Sequence, residues 1–222
     1  MLTKSKEFTD FYPSAHAGIL IVRDVQNPAD HPKLEERKRE IEKDLRIRFS
    51  MVETQLLTAT PPLPAYAAYY KRFDKTYHVL GQLSSVIYKE KPIPSVSTLV
   101  EAMFMAELKN GMLTSGHDLN QIQLPLLLNV STGEEHYTVM CGQDQVLKDS
   151  DMYIADQEGI LSSILYGPDQ RTRITLDTHN VLFTVYAPEG VNPEDVENHM
   201  KELHDLMLIV SPKAEVDLLQ VI

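Results

Sequence analysis

The sequence predicts an α+β (mixed α/β) fold in which N-terminal helices pack on a mostly antiparallel sheet. Three observations predict it. Segments with helical apolar spacing dominate to about residue 110, short apolar runs broken by turn residues follow from Leu124, and one long amphipathic segment returns near the end. Helices first, strands later and a late helix are the order of a layered α+β domain. At 222 residues the chain is long enough to bury a substantial core as one domain, or as a domain with a helical extension.

The elements follow in order. "AGILIVRDV" (17–25) is a short, β-rich apolar run that reads as a buried strand. From Pro32 to Phe49, residues Leu34, Ile41, Leu45 and Phe49 are spaced for one face of a helix. "TPPLPAYAAYYKRF" opens with three prolines, suited to a loop and helix start, and continues as a Tyr/Ala-rich helix. "QLSSVIYKE" is a further short helix, and "KPIPS" an extended spacer. Ser95 or Ser97 then caps a helix with Val96, Leu99, Val100, Met103 and Ala106 on one face, stopped at Gly111.

Past Leu124, "LPLLLNV" and "HYTVM" flank "STGEE" as a hairpin-like pair with Gly133 in the turn. "DMYIAD" and "GILSSILY" form a second pair around "QEG", and "HNVLFTVYA" is another strand. In "NPEDVENHMKELHDLMLIV", Asn192 caps a helix, Pro193 suits its first turn and acids crowd its N-terminus. Val196, Met200, Leu203, Met207 and Val210 make its core stripe. "AEVDLLQVI" closes the chain as a strand.

Composition sets bounds on function. No apolar run reaches membrane-spanning length, and the N-terminus lacks the apolar centre of a secretory signal. The single cysteine, Cys141, excludes an intrachain disulfide and a thiolate cluster, so a reducing cytoplasm is the expected setting. Cys141 itself reads as a small core residue. Residues 1–130 carry 16 basic and 15 acidic side chains, residues 131–222 carry 5 and 17, so the C-terminal part holds the whole acidic excess. Such a chain is not a general polyanion binder; any nucleic-acid contact must use a local patch. Lys71, Arg72, Lys75, Lys89 and Lys91 are candidates for one, or are simply a solvated surface.

Phosphate-loop, dinucleotide, zinc-protease and nucleophile-elbow motifs are absent, and the eight histidines are scattered. His199 and His204, five apart, fall on different helix faces. Two polar segments remain. In "LTSGHDL" (113–119), Gly116 suits a tight turn, and His117 beside Asp118 is a titratable pair. The plain alternative makes Asp118 a helix cap and His117 an exposed neighbour. In "YGPDQRTRITLDTHNVLF" (166–183), Arg171 and Arg173 would make a fork for phosphate or carboxylate, with Thr172, Thr175 and Thr178 supplying hydroxyls. The alternative is a loop tied to its own backbone by Asp169, Asp177 and the threonines.

These two segments, with "PSVSTLVEAMFMAELKNG", "LPLLLNV", "GEEHYTVM" and "DMYIADQEGILSSILYG" around them, resemble the tRNA-editing domain of the phenylalanyl-tRNA synthetase beta subunit. That module is called B-three/B-four, and the chain looks most like the free-standing proteins made of it alone. The resemblance implies a single domain over 1–222, with an N-terminal strand and helical part (1–75) and an editing-domain core (76–222). It implies hydrolysis of a mischarged aminoacyl-tRNA, chiefly a tyrosyl ester, without covalent nucleophile or cofactor. The partner implied is the tRNA 3′ acceptor end, with no membrane and no DNA. The chain has no aminoacylation motifs, so editing is expected in trans.

By position, the resemblance puts His117 and Asp118 in catalysis, and Ser115, Gly116, Asp169, Gln170, Arg171, Arg173 and Thr175 in substrate binding. This chain departs from the family in two places: the family histidine falls on Ser115, and the glutamate that reads the tyrosine hydroxyl falls near Asp169 or Gln170. A non-catalytic tRNA-binding module and a small-metabolite binder are the alternatives on the same fold.

Overall fold

The computed structural model of the chain describes residues 2–52 and 57–222. Strand β1 (Leu2–Lys4) and helix α1 (Lys6–Phe11) precede β2 (His16–Arg23), the predicted buried strand. Among the described residues the helices α2 (Pro32–Arg48), α3 (Leu63–Lys71), α4 (His78–Tyr88) and α5 (Thr98–Asn110) follow. Then come β3 (Thr114–Asp118), β4 (Leu126–Val130), β5 (His136–Thr138), β6 (Asp144–Val146), β7 (Met152–Ala155), β8 (Ile160–Ser163) and β9 (Gly167–Pro168). The last elements are β10 (Val181–Ala187), α6 (Pro193–Leu208) and β11 (Glu215–Val221).

The strands form a five-stranded sheet in the order β1-β4-β7-β8-β9, a four-stranded sheet β11-β2-β10-β3 and a small ribbon β5-β6. Among the described residues only β1 and β4 pair in parallel, and the other strand pairs are antiparallel. The core stripe of α6 is buried throughout, with the Asn192 side chain accepting from the Glu194 N–H at 3.0 Å as its cap. Leu34, Ile41, Leu45 and Phe49 are likewise buried. No helix among the described residues is long and apolar enough to cross a membrane.

Three sequence expectations need correction here. "LPLLLNV" and "HYTVM" do not pair: β4 lies between β1 and β7, whereas β5 turns back on β6. The reason is local. The Glu135 carboxylate accepts from the Ser131 hydroxyl and the Thr132 N–H, at 2.7 and 2.9 Å, closing the Gly133 loop on itself. Ser97 holds the cap position of α5 without a side-chain bond, because Asn27 Oδ1, from ahead of α2, accepts the Leu99 N–H at 2.9 Å. Val96 lies outside that helix and is exposed. Gly111 does stop α5, in the left-handed region at φ 69°.

Helix α3 fastens the sheets. The Tyr66 hydroxyl donates to the Tyr186 carbonyl, Tyr69 accepts the Met152 N–H and donates to Asp151, and Tyr70 donates to the Ile164 carbonyl. Tyr186, on β10, reaches into the other sheet: its hydroxyl accepts the Ile154 N–H at 3.0 Å and donates to the Ser162 carbonyl at 2.7 Å. Replacing Tyr186 with Phe keeps the ring and strands a buried N–H and a buried carbonyl. Unfolding by urea should show a loss of about 1–3 kcal/mol; an unchanged midpoint would mean the phenol does not join the sheets.

Candidate functional site

Strand β3 is not the turn its composition suggests. All five residues from Thr114 to Asp118 are buried and pair with β10, with Gly116 opposite Phe183 and His117 opposite Leu182. Gly116 serves close approach rather than a turn: a Cβ there would lie 2.7 Å from Ile174 Cδ1 and 3.0 Å from Phe183 Cε1. Small polar residues are a common turn signal, and here they are a strand because each finds a buried partner. Thr114 Oγ1 lies 2.7 Å from His199 Nε2, and Asp118 accepts from the Thr178 hydroxyl at 2.8 Å. Asp118 also caps the short 3-10 turn Leu119–Gln121 through the Asn120 N–H, as the plainer reading expects.

His117 is not exposed; it has no accessible surface and stands behind Ser115. Its Nε2 is 3.0 Å from Ser115 Oγ and its Nδ1 is 2.7 Å from Thr172 Oγ1. The Thr172 hydroxyl donates to Asp169, so its oxygen is free to accept from His117 Nδ1–H. That leaves Nε2 as an acceptor for the serine hydroxyl. Burial, reinforced by the Arg171 charge, lowers His117 to about 3, so the ring is neutral at physiological pH. Burial raises Asp169 above the usual carboxylate range, against the opposing bonds from Thr172.

Ser115 and Gly116 open on a cavity of about 380 Å³ between α4, α5, β3 and β9, near the small end for a ligand site. Its walls are mainly apolar, with Val100, Met103, Phe104 and Ile174, and the polar groups include Glu107, Tyr186 and Arg173. Beside it lies an open polar depression lined by Asp118, Gln121, Thr138, Gln170, Arg171, Arg173 and Thr175. Arg173 lines both. The backbone of the 166–183 loop is zipped to β3 by the His117–Arg173 bridge and by the Asp118 N–H on the Thr172 carbonyl at 2.7 Å.

Arg171 and Arg173 do not form a fork. The Arg171 guanidinium grips Asp156 through both terminal nitrogens, at 3.2 and 2.9 Å, and also meets Glu158 and Asp169. Among the described residues Arg173 has no carboxylate partner, only the Gln170 carbonyl at 3.4 Å. Thr172 and Thr178 are fully buried and committed to Asp169 and Asp118, so the loop is tied much as the plainer reading expects and is a pocket wall as well. Of the other candidates, Cys141 is exposed rather than core, because it sits in the ribbon turn beside Gly142 at φ 83°. Arg72 lies over the Tyr12 and Tyr69 rings and Lys75 over Tyr166, which ties two of the five basic candidates to aromatic surfaces. Among the described residues no cluster of His, Cys, Asp or Glu is placed to hold a metal ion.

Glu107 is the residue sequence reasoning missed. It follows Val100, Met103 and Phe104 on the cavity-facing side of α5, and an acid on that apolar stripe was the available signal. It is buried, accepts the Thr114 N–H at 2.9 Å, and burial raises it to about 8. Folding therefore binds a proton at Glu107 that the unfolded chain gives up near 4.5. The stabilisation this confers is complete below 4.5 and is lost as pH rises through about 8. Glu107→Gln removes the linkage, so the stability of the native chain relative to the variant should fall between pH 4.5 and pH 8. Urea midpoints at the two pH values check it; a constant difference would show that the acid does not titrate this way.

The model of the B3/4 domain family matches residues 64–210. Among solved structures, the chain is similar to an N-terminal fragment of the phenylalanyl-tRNA synthetase beta subunit from Pyrococcus horikoshii, with a TM-score of 0.53 and 13% identity. The match covers 100% of this chain and 53% of that one, so the chain spans about half the fragment's length. No curated protein matches.

Proposed function

The chain belongs to the B3/4 domain family, and from that premise we propose that it is a tRNA-related domain that takes the 3′ end of an aminoacyl-tRNA and hydrolyses its ester in trans. The observation that carries this reading is Arg173, which lines both the apolar cavity and the open polar depression. An aminoacyl ester has the same two parts: an amino-acid side chain to desolvate, and a ribose-phosphate end that needs a cation and hydrogen-bond donors. The cavity takes the side chain and the depression takes the terminal nucleotide. The guanidinium between them serves the 3′ phosphate or the ester oxygen. Holding the ester in one orientation supplies much of the acceleration.

Asp118 and Arg171 take structural parts in this reading. Asp118 caps a turn and holds Thr178, and Arg171 neutralises Asp156. Polar contact with the ester falls instead to Ser115 and Arg173, which line the cavity.

The test is release of amino acid from a panel of mischarged tRNAs by the purified chain, beginning with tyrosyl-tRNA for phenylalanine. Release above the spontaneous rate is expected. Arg173→Ala should lower kcat/KM by roughly tenfold and reduce the salt slope of tRNA binding by about 1, as for loss of one phosphate contact. Binding of tRNA with its ester left intact would make the chain a non-catalytic module. No binding at any salt concentration would point to a small ligand on the same fold.

A further inference from the structure

We propose that Ser115, which stands where the family has a histidine, is a covalent nucleophile for acyl transfer deprotonated through a buried relay of His117, Thr172 and Asp169; the proposal rests on the ester-hydrolysis reading of the same cavity and departs from the nucleophile-free hydrolysis that the family resemblance implies. Serine Oγ, imidazole Nε2, imidazole Nδ1 and threonine Oγ1 follow one another at 3.0 and 2.7 Å across the ring, and the threonine hydroxyl ends on Asp169. The arrangement is a nucleophile, a base and an orienting carboxylate with one hydroxyl inserted, since His117 Nδ1 and Asp169 Oδ1 are 3.8 Å apart. Only the serine end lines the cavity. Asp169 is held by the Thr172 N–H at 3.2 Å and by Arg171 Nε at 3.5 Å, and His117 is fixed by burial on all sides.

The steps balance without a co-reactant other than water. Ser115 Oγ bonds to the ester carbonyl carbon as its proton passes to His117 Nε2. The proton on Nδ1 passes to Thr172 Oγ1, and the threonine proton passes to Asp169. The imidazole thus changes tautomer and ends neutral, which suits a ring whose burial opposes the cation. Asp169, raised by burial, receives the proton. Collapse of the tetrahedral adduct breaks the bond to the alcohol, which leaves with the proton returned along the relay. Water then attacks the acyl-serine by the same path, releasing the acid and restoring the hydroxyl. Arg173, on the same cavity wall, is the charge available to the oxyanion.

Phenylmethanesulfonyl fluoride is an aromatic acyl-donor mimic that probes the nucleophile without tRNA. Incubation with the intact protein, followed by peptide mass mapping, should place one sulfonyl adduct on Ser115. No adduct should form in Ser115→Ala or in urea-unfolded protein. Thr172→Val, checked for folding, should slow labelling by about 100-fold or more, the scale of lost general-base assistance. Absence of an adduct on Ser115 in the folded native protein overturns the proposal. So does deacylation of aminoacyl-tRNA that persists in Ser115→Ala, an outcome that leaves the tRNA reading standing. Labelled Ser115 with no deacylation of any tRNA keeps the nucleophile and overturns that reading instead.

Discussion

The hydroxyl of Tyr186 ties one sheet to the other, and the apolar cavity lies beside that junction. Tyr186 belongs to β10, yet its phenol answers Ile154 and Ser162 in the other sheet. The β7–β8 ladder shifts register between Ile154 and Ala155, and a buried backbone group left without a partner at such an irregularity costs more than its bond would gain. Tyr66, Tyr69 and Tyr70 of α3 solve the same problem at three other places. Burial keeps these phenols far from ionising, so they act as fixed dipoles. The space left beside Tyr186, roofed by α4 and α5, is the apolar cavity.

What the sequence showed of this arrangement follows from which signals are local. The faces of α2 and α6, the Asn192 cap, the Gly111 stop and the β7–β8 hairpin are set by spacing within one segment, and the structure has each of them. Pairing between segments was not legible. β4 takes β1 and β7 as partners although its nearest following strand is β5, because Glu135 closes the intervening loop on itself. The site divides the same way. The resemblance assigns residues of both 115–118 and 171–173 to the site, and the His117–Arg173 bridge joins the two segments. The directions of the side chains were not legible: Arg171 turns to Asp156 and Glu158, carboxylates that spacing within its own loop does not involve.

Charge follows a related logic. The acidic excess of residues 131–222 argues against a broad phosphate-binding face. Part of that excess is held internally, since Asp156 and Asp169 flank one arginine. The cavity itself carries little fixed charge: Glu107 is raised toward its neutral form, and His117 behind the wall is uncharged. Against such a background a guanidinium with no carboxylate partner among the described residues has a large effect, because the nearby groups that would screen it are neutral or engaged. On the proposed reading, a short anionic end would gain from Arg173, whereas a long polyanion would gain little elsewhere on this half of the chain.

The chemistry of β3 supports the proposed placing of function here. It stands at the edge of its sheet, in the order β11-β2-β10-β3, and an open edge invites pairing with another chain. The polar loop after β9 covers that edge through Arg173 and Thr172, so its threonines and aspartate are structural closure and site wall at once. A strand of Val and Ile would fill the same buried place with fewer demands, since buried polar groups at best break even against apolar ones of similar size. Thr114, Ser115, His117 and Asp118 instead each require a placed partner, and each has one. Departures from the locally simplest choice concentrate where a fold is put to use. Here the departure runs inward from a serine at a cavity wall to a carboxylate under an arginine, along hydrogen bonds that can each pass a proton.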